Sequence, residues 1–516
     1  MCGIFAALSP SISEKTLLTS FLKGNQRGPD NTTACYVSED LWLGFHRLAI
    51  NGLNDKANQP FIMEGVYLIC NGEIYNYKEL FSSINVTPTT ESDCEIIIHL
   101  YKRFGIEYTL HAIDASEFAF VLYDTALKTM FVARDPYGVR PLYQGNIRKM
   151  TCFASELKMF PHLHQVEQFP PGFVMTITSE KRTMTKYCSL PSTTKHRVQP
   201  SDVWDTLYQC VKKRVISTER PIACLLSGGL DSSIIACLVN QCMKELGISR
   251  PLETYSIGLP GAEDLAYAEI MAGHLGTKHT SVILSEQDFL NAIPEVIYAI
   301  ESRDTTTVRA SVGNYLVCKH IRKFSDAKII FNGDGADEVC GGYLYLKNAP
   351  SMLEFDRECR RLVQDIHLFD AQRSDRSISS HGLESRTPFL DRAFVELYMS
   401  IPAELRFTSC EKQFLRQAFV GKLPEVILWR KKEAFSDGVS SMKKSWFSII
   451  QESIPPEIIK EHKHVETDLT QEQYYYKKIY DSYYLHDLLP YFWMPKYTST
   501  TDCSARTLET YFTQKR

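Results

Sequence analysis

The apolar positions in the second half of the chain predict strands that alternate with helices. Residues 221–225 predict a buried strand, residues 226–233 form a turn rich in glycine and serine, and apolar residues 234–239 predict a helix. Further strand-like runs occupy residues 254–259, 280–284 and 327–331. This alternation is typical of an α/β fold with a parallel, doubly wound sheet, in which ligands bind at the carboxyl ends of the strands.

The first half of the chain has a different pattern. Strand-like runs occupy residues 42–45, 117–123 and 130–134. Residues 90–93 open a predicted helix that ends at Gly105. Its apolar face consists of Ile96, Ile97, Leu100, Tyr101 and Phe104. Residues 189–201 are rich in proline, serine and threonine, and we expect a linker there between domains of residues 2–188 and 202–516.

Composition narrows the class of protein. A length of 516 residues predicts two or three domains, and a net charge of −4 gives no basic surface for nucleic acid or an anionic membrane. No apolar run reaches the roughly 18 residues of a membrane helix. The first residues lack the basic and apolar regions of a signal peptide. Fifteen cysteines without a C-x-x-C pair favour reduced thiols in a cytoplasmic protein without a zinc site.

The turn after the strand at residues 221–225 has the composition of an anion site. It contains Ser227, Gly228, Gly229, Asp231 and Ser232. The glycines allow close approach to a ligand, and the following helix directs free N–H groups at the turn. Asp231 stands where a Walker loop would carry lysine, and a carboxylate beside phosphates requires a bridging cation, so we expect Mg²⁺. The turn resembles the pyrophosphate loop of enzymes that split ATP into AMP and pyrophosphate; an ordinary strand–turn–helix is the alternative.

A second glycine-rich loop, residues 332–338, follows the strand at residues 327–331 directly. It carries three acids, Asp334, Asp337 and Glu338, which repel one another unless they hold a cation or transfer protons. A solvated acidic turn is the alternative. Residues suited to the rest of such a site are Ile257 for adenine, Thr306, Thr307 and Arg309 for an amino acid with a carboxylate, and Lys432 for pyrophosphate. A helix start capped by threonine is the alternative for residues 305–307.

Cys2 becomes the amino-terminal residue if Met1 is removed. One residue then supplies both a nucleophilic thiol and an α-amino group that can act as its base. Taken alone, a cysteine at this position is more often a small buried apolar residue.

Three sets of residues downstream fit a site around that cysteine. Arg47 can bind a carboxylate, Asn71 and Gly72 can bind an oxyanion, and Asp93 can bind an ammonium group. The alternatives are a surface ion pair for Arg47 and a helix N-cap for Asp93.

The order of five features resembles the class II glutamine amidotransferases. They are Cys2, RGPD from Arg27, HRLAI from His46, NGEIYN from Asn71 and TESDCE from Thr90. The resemblance implies an αββα sandwich of two antiparallel sheets and attack by Cys2 on the side-chain amide of glutamine. The implied glutamine-binding residues are Arg47, Leu48, Ala49, Ile50, Asn51, Asn71, Gly72, Glu73 and Asp93.

From Cys2 to the aromatic tail near Tyr511, the chain resembles the family of glutamine-hydrolysing asparagine synthetases. SGGLDSS, GLPG, DTTTVRAS, GDGADE, PFLD and WRKKEAFSDG stand in family order. The resemblance implies that aspartate is activated by ATP as β-aspartyl-AMP and amidated by ammonia that is released at Cys2 and channelled between the domains. The products are asparagine, AMP, pyrophosphate and glutamate.

The same resemblance implies ligand-binding residues and partners. The implied ATP and pyrophosphate residues are Leu225, Ser227, Gly228, Gly229, Asp231, Ser232, Ile257, Asn332, Gly333 and Lys432; those for aspartate are Thr306, Thr307 and Arg309; those for Mg²⁺ are Asp231 and Asp337. The implied partners are L-aspartate, L-glutamine and ATP, with no nucleic acid or membrane. The sequence leaves the oligomeric state open, with a homodimer as one option. We expect the aromatic tail to dock on the domain.

Residues 332–338 depart from the family pattern. Nearer relatives have SGEGSDE where this chain has NGDGADE, so Asp334, the implied general base, is one methylene shorter than glutamate. Other branches of the family carry aspartate here, and we predict retained activity. Two alternatives stay open: a related amidotransferase or synthetase that acts on a different carboxylate, and an inactive scaffold. A scaffold would be expected to have lost Cys2, Asp231 or Lys432, and all three are present.

Overall fold

The computed structural model describes residues 1–114, 116–147, 149–162, 165–192, 197–465, 467–484, 491–500 and 502–512. These residues form three sheets: two antiparallel sheets in the amino-terminal domain and one parallel sheet in the carboxyl-terminal domain. The predicted two-domain α/β class is therefore confirmed. Residues 193–196 of the predicted linker lie outside the described ranges. Among the described residues, no helix is both long and apolar enough to cross a membrane.

The amino-terminal domain contains two six-stranded sheets. The strands are β1 (Gly3–Leu8), β2 (Asn31–Ser38), β3 (Leu41–Arg47), β4 (Phe61–Met63), β5 (Val66–Gly72), β6 (Phe118–Asp124), β7 (Thr129–Arg134), β8 (Tyr143–Ile147), β9 (Met150–Ala154), β10 (Val166–Gln168), β11 (Phe173–Ile177) and β12 (Arg182–Lys186). The first sheet has the order β10-β8-β9-β1-β3-β2 and the second β12-β11-β7-β6-β5-β4. The helices are α1 (Glu14–Phe21), α2 (Tyr77–Ser83) and α3 (Ile96–Ala112).

Alternating residues of each strand face different layers. On β1, Ile4 and Ala6 belong to the core between the two sheets, whereas Phe5 packs outward with Phe21 of α1. On the second sheet, residues of β5 and β6 likewise face α2 and α3 on their outer side. A period of two in apolar residues thus gives two buried faces per strand, and the implied αββα sandwich is confirmed.

Helix α3 consists of two helical segments that meet at Gly105. This glycine has φ 82° and ψ 174°, which interrupts the helix, but the chain re-enters helical conformation and continues to Ala112. Phe104 is 44% exposed and packs against the ring of Tyr108 at 4.4 Å. The prediction of a helix stop at Gly105 is confirmed, because Gly105 has a non-helical backbone, but a second helical segment follows it directly and was not predicted. The prediction that Phe104 lies on the buried face is wrong.

The carboxyl-terminal domain is built on a parallel sheet of β13 (Ile222–Leu225), β14 (Glu253–Gly258), β15 (Lys278–Ile283), β16 (Ile329–Phe331) and β17 (Glu384–Arg386), in the order β15-β14-β13-β16-β17. Its helices are α4 (Pro200–Ile216), α5 (Leu230–Glu245), α6 (Glu263–Leu275), α7 (Glu286–Ile300), α8 (Thr305–Phe324), α9 (Ala336–Cys340), α10 (Met352–Asp365), α11 (Asp370–Ser379), α12 (Arg392–Met399), α13 (Ala403–Arg406), α14 (Gln413–Ala418), α15 (Glu425–Leu428), α16 (Phe435–Gly438), α17 (Trp446–Ser453), α18 (Pro456–His464), α19 (Gln471–Tyr483) and α20 (Glu509–Phe512).

The strand order fixes where a ligand can bind. Helices cover both faces of the sheet, since Ile329 and Phe331 of β16 join the core with α5 while Ile330 joins the core with α7 and α8. The chain runs outward from β13 to β14 and β15, then returns to place β16 on the other side of β13. Such a reversal of strand order opens a crevice at the carboxyl ends of the two central strands.

Candidate active sites

Cys2 immediately precedes β1 and lies at the edge of the sandwich. Its thiol donates to the carbonyl oxygen of Leu48 at 3.8 Å, and its backbone N–H donates to Oδ1 of Asn71 at 3.1 Å. Burial raises the pKa of the Cys2 thiol to about 11. The preceding Met1 is 1% exposed, and its ammonium group donates to the carbonyl oxygen of Leu383 at 3.3 Å. While Met1 is attached, the Cys2 nitrogen is an amide and cannot serve as a base.

Asn71 and Gly72, at the end of β5, have the features of an oxyanion hole. Asn71 is 1% exposed, and its Nδ2 group is buried without a hydrogen-bond partner among the described residues. A buried amide donor without a partner is costly, and an incoming oxyanion would satisfy it. A Cβ atom at Gly72 would lie 2.6 Å from Cβ of Phe118, so the close pairing of β5 with β6 requires glycine here.

Asp93 begins a short 3-10 helix, Asp93–Glu95, which contacts the chain just after Asn71 and Gly72. It accepts a hydrogen bond from the backbone N–H of Ile74 at 2.7 Å, and burial raises its pKa to about 6. The cap of the helix is Ser92, whose side chain accepts from the N–H of Cys94, so Asp93 is not the N-cap. The N-cap alternative for Asp93 is therefore wrong, and binding of an ammonium group stays a prediction.

Arg47 is 6% exposed and does not form the surface ion pair considered as its alternative. Its guanidinium donates to the carbonyl oxygen of Asn54 at 2.9 Å, to Oδ1 of Asn58 at 2.7 Å and to the carbonyl oxygen of Gly52. These acceptors are neutral, and burial lowers the pKa of Arg47. Within the described ranges Arg47 has no carboxylate partner at salt-bridge distance, and binding of a substrate carboxylate stays a prediction.

The loop after Arg47 is attached to the carboxyl-terminal domain. Ala49 accepts from Nε of Arg220 at 2.8 Å, and Ile50 accepts from the N–H of Glu219 at 3.2 Å. Asn51 donates to Oε2 of Glu73 at 3.1 Å. Glu73 in turn lies 3.3 Å from Nη2 of Arg386, a residue of β17. Contacts from the second domain thus hold the predicted glutamine-binding residues.

The second site is a cavity at the carboxyl ends of the central strands of the parallel sheet. Among the predicted residues, it is lined by Leu225, Ser227, Gly229, Asp231, Ser232, Ile257, Thr306, Asn332, Gly333, Asp334, Asp337, Glu338 and Lys432. The strand order therefore brings the two glycine-rich loops, which are about 100 residues apart in sequence, to one place.

The loop after β13 is shaped by its small residues. Gly228 has φ 71°, and a Cβ atom there would lie 2.4 Å from the backbone of α6. Gly229 is the N-cap of α5 and makes no side-chain cap, so the first N–H groups of the helix face the loop. Ser227 and Ser232 share a hydroxyl hydrogen bond of 3.1 Å that closes the turn. This geometry supports the predicted anion site.

Asp231 and Asp337 face each other across the cavity, and two lysines lie between them. Nζ of Lys412 lies 2.6 Å from Asp231 and 2.5 Å from Asp337, and Nζ of Lys432 lies 2.7 Å from Asp337. Although burial disfavours a charged carboxylate, Lys412 and Lys432 hold the pKa of Asp337 well below its usual range. Lys412 was not predicted, because nothing in the polar segment around it marks a site.

The same two carboxylates fit a phosphate-bound Mg²⁺. The described residues contain no group of three or more acidic, cysteine or histidine side chains arranged to hold a metal ion. Two aspartates beside a phosphate site are nevertheless the donor set expected for Mg²⁺, which usually binds one or two carboxylates together with substrate phosphates and water.

Asp334 lies between this pair and α11. Nη2 of Arg373 donates to Oδ1 of Asp334 at 2.7 Å and also to Oδ1 of Asp370. Oδ2 of Asp334 is buried and has no partner in the part of the chain that the structure describes. Nearby, burial raises the pKa of Glu338 well above its usual value. Arg373 and Asp370 were not singled out from the sequence, because they lie on a helix without a motif.

The predicted aspartate site is only partly assembled. Thr306 lines the cavity, but Thr307 donates through both its N–H and its hydroxyl to Asp304, the N-cap of α8. Arg309 is paired with Glu472 at 2.6 Å and Asp502 at 2.9 Å and does not line the cavity. The predictions of a substrate-binding role for Thr307 and Arg309 are therefore not supported by the geometry. The alternative, a helix start at these residues, is confirmed, but the side chain that caps the helix is Asp304 and not a threonine.

The carboxyl-terminal tail covers one side of the cavity, as expected from its aromatic content. Trp493 is 5% exposed, and its backbone N–H donates to Oδ1 of Asp304 at 2.8 Å. Ser504 donates to Asp437, which lies on the segment that follows Lys432. The prediction of a docked tail is confirmed for the described residues of this region.

One helix connects the two sites. Arg373, on the first turn of α11, contacts Asp334 in the cavity. Two residues later, Asp375 accepts from Nη1 of Arg27 at 2.7 Å, and Nε of Arg27 donates to the carbonyl oxygen of Cys2 at 2.8 Å. The buried interface between the domains therefore runs directly from one candidate site to the other.

Comparisons with known proteins agree with this arrangement of two sites. The glutamine amidotransferase domain model matches residues 1–170, and the asparagine synthase model matches residues 202–357 and 349–489. The chain is 38% identical to an asparagine synthetase [glutamine-hydrolyzing] of Gallus gallus, with 99% of both chains covered. Proteins of the same description from Bos taurus and Homo sapiens are 37% and 38% identical, again with 99% of each chain covered. The chain belongs to the family of glutamine-hydrolysing asparagine synthetases.

Proposed function

We propose that this protein makes asparagine from aspartate with ammonia taken from glutamine, at the expense of ATP. The observation that carries the proposal is the pair of sites on either side of α11, one built around Cys2 and the other around Asp231 and Asp337. A glutaminase alone would not need the second site, and an ammonia-dependent synthetase alone would not need the first.

We also propose the division of labour between domains. Residues 2–188 form the glutaminase and residues 202–516 form the synthetase, joined by a linker. The substrates are glutamine, aspartate and ATP. We propose a cytoplasmic location from the cysteine usage of the sequence, and neither nucleic acid nor membrane is required for the reaction. A homodimer is compatible with the chemistry, which is complete within one chain.

In the glutaminase half, removal of Met1 exposes the α-amino group of Cys2. That amine takes the thiol proton, and the thiolate attacks the carboxamide carbon of glutamine. Asn71 and Gly72 stabilise the negative oxygen of the tetrahedral intermediate, with the partnerless Nδ2 of Asn71 as the main donor. When the intermediate collapses, the C–N bond breaks and the protonated α-amino group gives its proton to the departing ammonia. Water then hydrolyses the thioester on Cys2, which releases glutamate and restores the thiol. Arg47 holds the α-carboxylate of glutamine and Asp93 its α-ammonium. Leu48, Ala49, Ile50, Asn51 and Glu73 shape the pocket.

In the synthetase half, the β-carboxylate of aspartate attacks the α-phosphorus of ATP and pyrophosphate leaves. The adenine lies by Leu225 and Ile257, and the phosphates lie in the loop of Ser227, Gly228, Gly229 and Ser232, with Asn332 and Gly333 on the opposite side. Asp231 and Asp337 would hold Mg²⁺, which neutralises charge on the phosphates when bound. Lys432 neutralises the departing pyrophosphate, and Thr306 is available to aspartate.

Ammonia from Cys2 then attacks β-aspartyl-AMP and displaces AMP. We propose that it travels along the buried interface beside α11, because ammonia released to water would be protonated. Asp334, whose free Oδ2 is buried at the cavity end of this route, accepts the proton of the attacking nitrogen.

Replacement of Cys2 tests the assignment of the two half-reactions. Cys2→Ala should abolish asparagine synthesis from glutamine and leave synthesis from added ammonium chloride near the wild-type rate, because the nucleophile lies in one domain and the ATP site in the other. Cys35→Ala, at another partly exposed cysteine, is the matched control and should retain both activities. Loss of both activities in Cys2→Ala, or of neither, would contradict the two-site proposal.

A further inference from the structure

We propose that Lys412 is a second phosphate-binding lysine of the synthetase site, and that its ammonium group bridges Asp231 and Asp337 until the nucleotide enters. The inference rests on the proposed function, because it assumes that ATP phosphates bind in this cavity. Lys412 lies outside every sequence motif identified above.

The contacts of Lys412 place its charge where the two acids meet. Its Nζ atom lies 2.7 and 2.6 Å from the two carboxylate oxygens of Asp231 and 2.5 Å from Oδ1 of Asp337. Lys432 binds Asp337 at 2.7 Å but is 3.8 Å from Asp231. Lys412 is therefore the lysine with close contacts to both carboxylates.

The surrounding structure is built to hold this lysine. The Lys412 side chain is 1% exposed, and its backbone has φ 55°, a left-handed conformation that a residue other than glycine rarely adopts. A Cβ atom at Gly342 would lie 2.0 Å from Cε of Lys412 and 2.1 Å from Oδ1 of Asp337. Glycine at position 342 thus leaves the space that the contact between Lys412 and Asp337 occupies.

Charge balance indicates what Lys412 does when the site is filled. Without nucleotide, the charges of Asp231 and Asp337 are matched by those of Lys412 and Lys432. A divalent cation that binds the two carboxylates competes with the lysines for the same oxygens. A buried ammonium group left without an acceptor is costly, and the acceptors that arrive with the cation are phosphate oxygens. The flexible lysine stem allows the ammonium to move from carboxylate to phosphate.

The alternative is that Lys412 only compensates two buried acids and never contacts substrate. The two roles predict different binding behaviour. A purely structural counter-ion can be replaced by Mg²⁺, so its removal should lower stability without weakening nucleotide binding at saturating Mg²⁺. A phosphate ligand cannot be replaced in this way, because the cation and the lysine then contact the phosphates together.

Equilibrium binding to the full chain separates these roles. Mg·ATP and magnesium pyrophosphate are titrated calorimetrically into wild type, Lys412→Met and Lys422→Met. Lys422 is an exposed lysine whose Nζ lies 5.1 Å from the ring centroid of Trp204, outside the cavity, and serves as the matched control. We expect Lys412→Met to bind both ligands about 10–100-fold more weakly, in line with the loss of a hydrogen bond to a charged group, and Lys422→Met to bind them normally. Far-UV circular dichroism and the thermal unfolding transition of each full-length variant report whether the synthetase domain is folded.

A second variant covers the case in which Lys412→Met does not fold. Gly342→Ala keeps every charge but displaces the ammonium group, and we expect it to weaken pyrophosphate binding as well. The inference is overturned if Lys412→Met binds both ligands with wild-type affinity. If Lys412→Met is unfolded, wild-type affinity in Gly342→Ala overturns it instead. Either result leaves the proposed function intact. Failure of wild type to bind Mg·ATP would instead contradict the proposed function.

Discussion

Replacement of Asp334 by asparagine separates the two chemical steps of the synthetase site. The change removes one negative charge and keeps the size of the side chain. Arg373 should keep its position, because its Nε atom still donates to Asp370 at 3.0 Å, and the amide oxygen of asparagine can replace Oδ1 as an acceptor. The change therefore acts on proton acceptance by Oδ2 rather than on the architecture of the cavity.

The expected magnitude follows from the role of a general base. Such a group contributes about 10²–10⁴-fold to the rate, which corresponds to about 2.7–5.4 kcal/mol of barrier at about 1.36 kcal/mol for each factor of ten. Asparagine formation from ammonium should fall by this factor. Adenylation depends on the loop of Ser227 and Gly229 and on Mg²⁺, so exchange of labelled pyrophosphate into ATP should stay within about tenfold of wild type.

The assay compares aspartate-dependent pyrophosphate exchange with asparagine formation in the same preparations. Asp365→Asn is the matched control, because Asp365 also pairs with an arginine, at 2.9 Å, but lies outside the cavity. Asp334→Glu restores the residue of nearer relatives and should fall between wild type and Asp334→Asn, since a displacement near 1 Å can cost about 10²-fold. Equal loss of exchange and asparagine formation in Asp334→Asn would assign the residue to adenylate formation and exclude its role as the general base.

Three further predictions concern other parts of the two sites. Asp231→Asn should abolish pyrophosphate release and spare most of the glutaminase activity, and normal release by this variant at low Mg²⁺ would contradict a metal-binding role. Because burial raises the pKa of Asp93 to about 6, the carboxylate loses its charge as the pH falls through 6, so KM for glutamine should rise about tenfold per unit below pH 6; a flat profile would show that the charge of Asp93 is not used. Protonation of Asp93 has the opposite effect on folding. Because the pKa of Asp93 in the folded state lies above its usual value, the free energy of unfolding rises as the pH falls from about 6 to about 4. Asp502→Asn should loosen the tail and reduce pyrophosphate exchange without changing glutaminase activity, whereas unchanged exchange would show that the pairing of Asp502 with Arg309 has no effect on the cavity.

The parts of the fold that follow from local pattern could be predicted. Strands β13 and β16 are short apolar runs followed by a glycine-rich loop, and such runs mark buried parallel strands from sequence alone. Strand β17 could not be identified in this way, because its residues Glu384, Ser385 and Arg386 are polar. They are nevertheless buried, because Arg386 pairs with Glu384 on the same strand and with Glu73 across the domain interface.

The parts of the site that depend on distant partners could not be predicted. Arg309 stands in a motif that suits a carboxylate substrate, but its partners are Glu472 and Asp502, which lie 163 and 193 residues away. Lys412 lies 181 residues from Asp231 and in no motif. Charge pairing between remote segments is a property of the tertiary structure, so neither the ion pairs of Arg309 nor the place of Lys412 in the cavity follows from the local sequence.

If one chain transfers the amide nitrogen of glutamine to an activated aspartate, an isotope label in that nitrogen must appear in asparagine. The direct test incubates the purified full chain with aspartate, Mg·ATP and glutamine labelled with ¹⁵N in the amide, in the presence of unlabelled ammonium ion, and analyses the products by mass spectrometry. We expect asparagine that carries ¹⁵N in its side chain, together with equal amounts of AMP and pyrophosphate. Two results would contradict transfer within one chain. One is asparagine labelled only to the extent of the free ammonium pool, and the other is glutamine hydrolysis without formation of AMP and pyrophosphate.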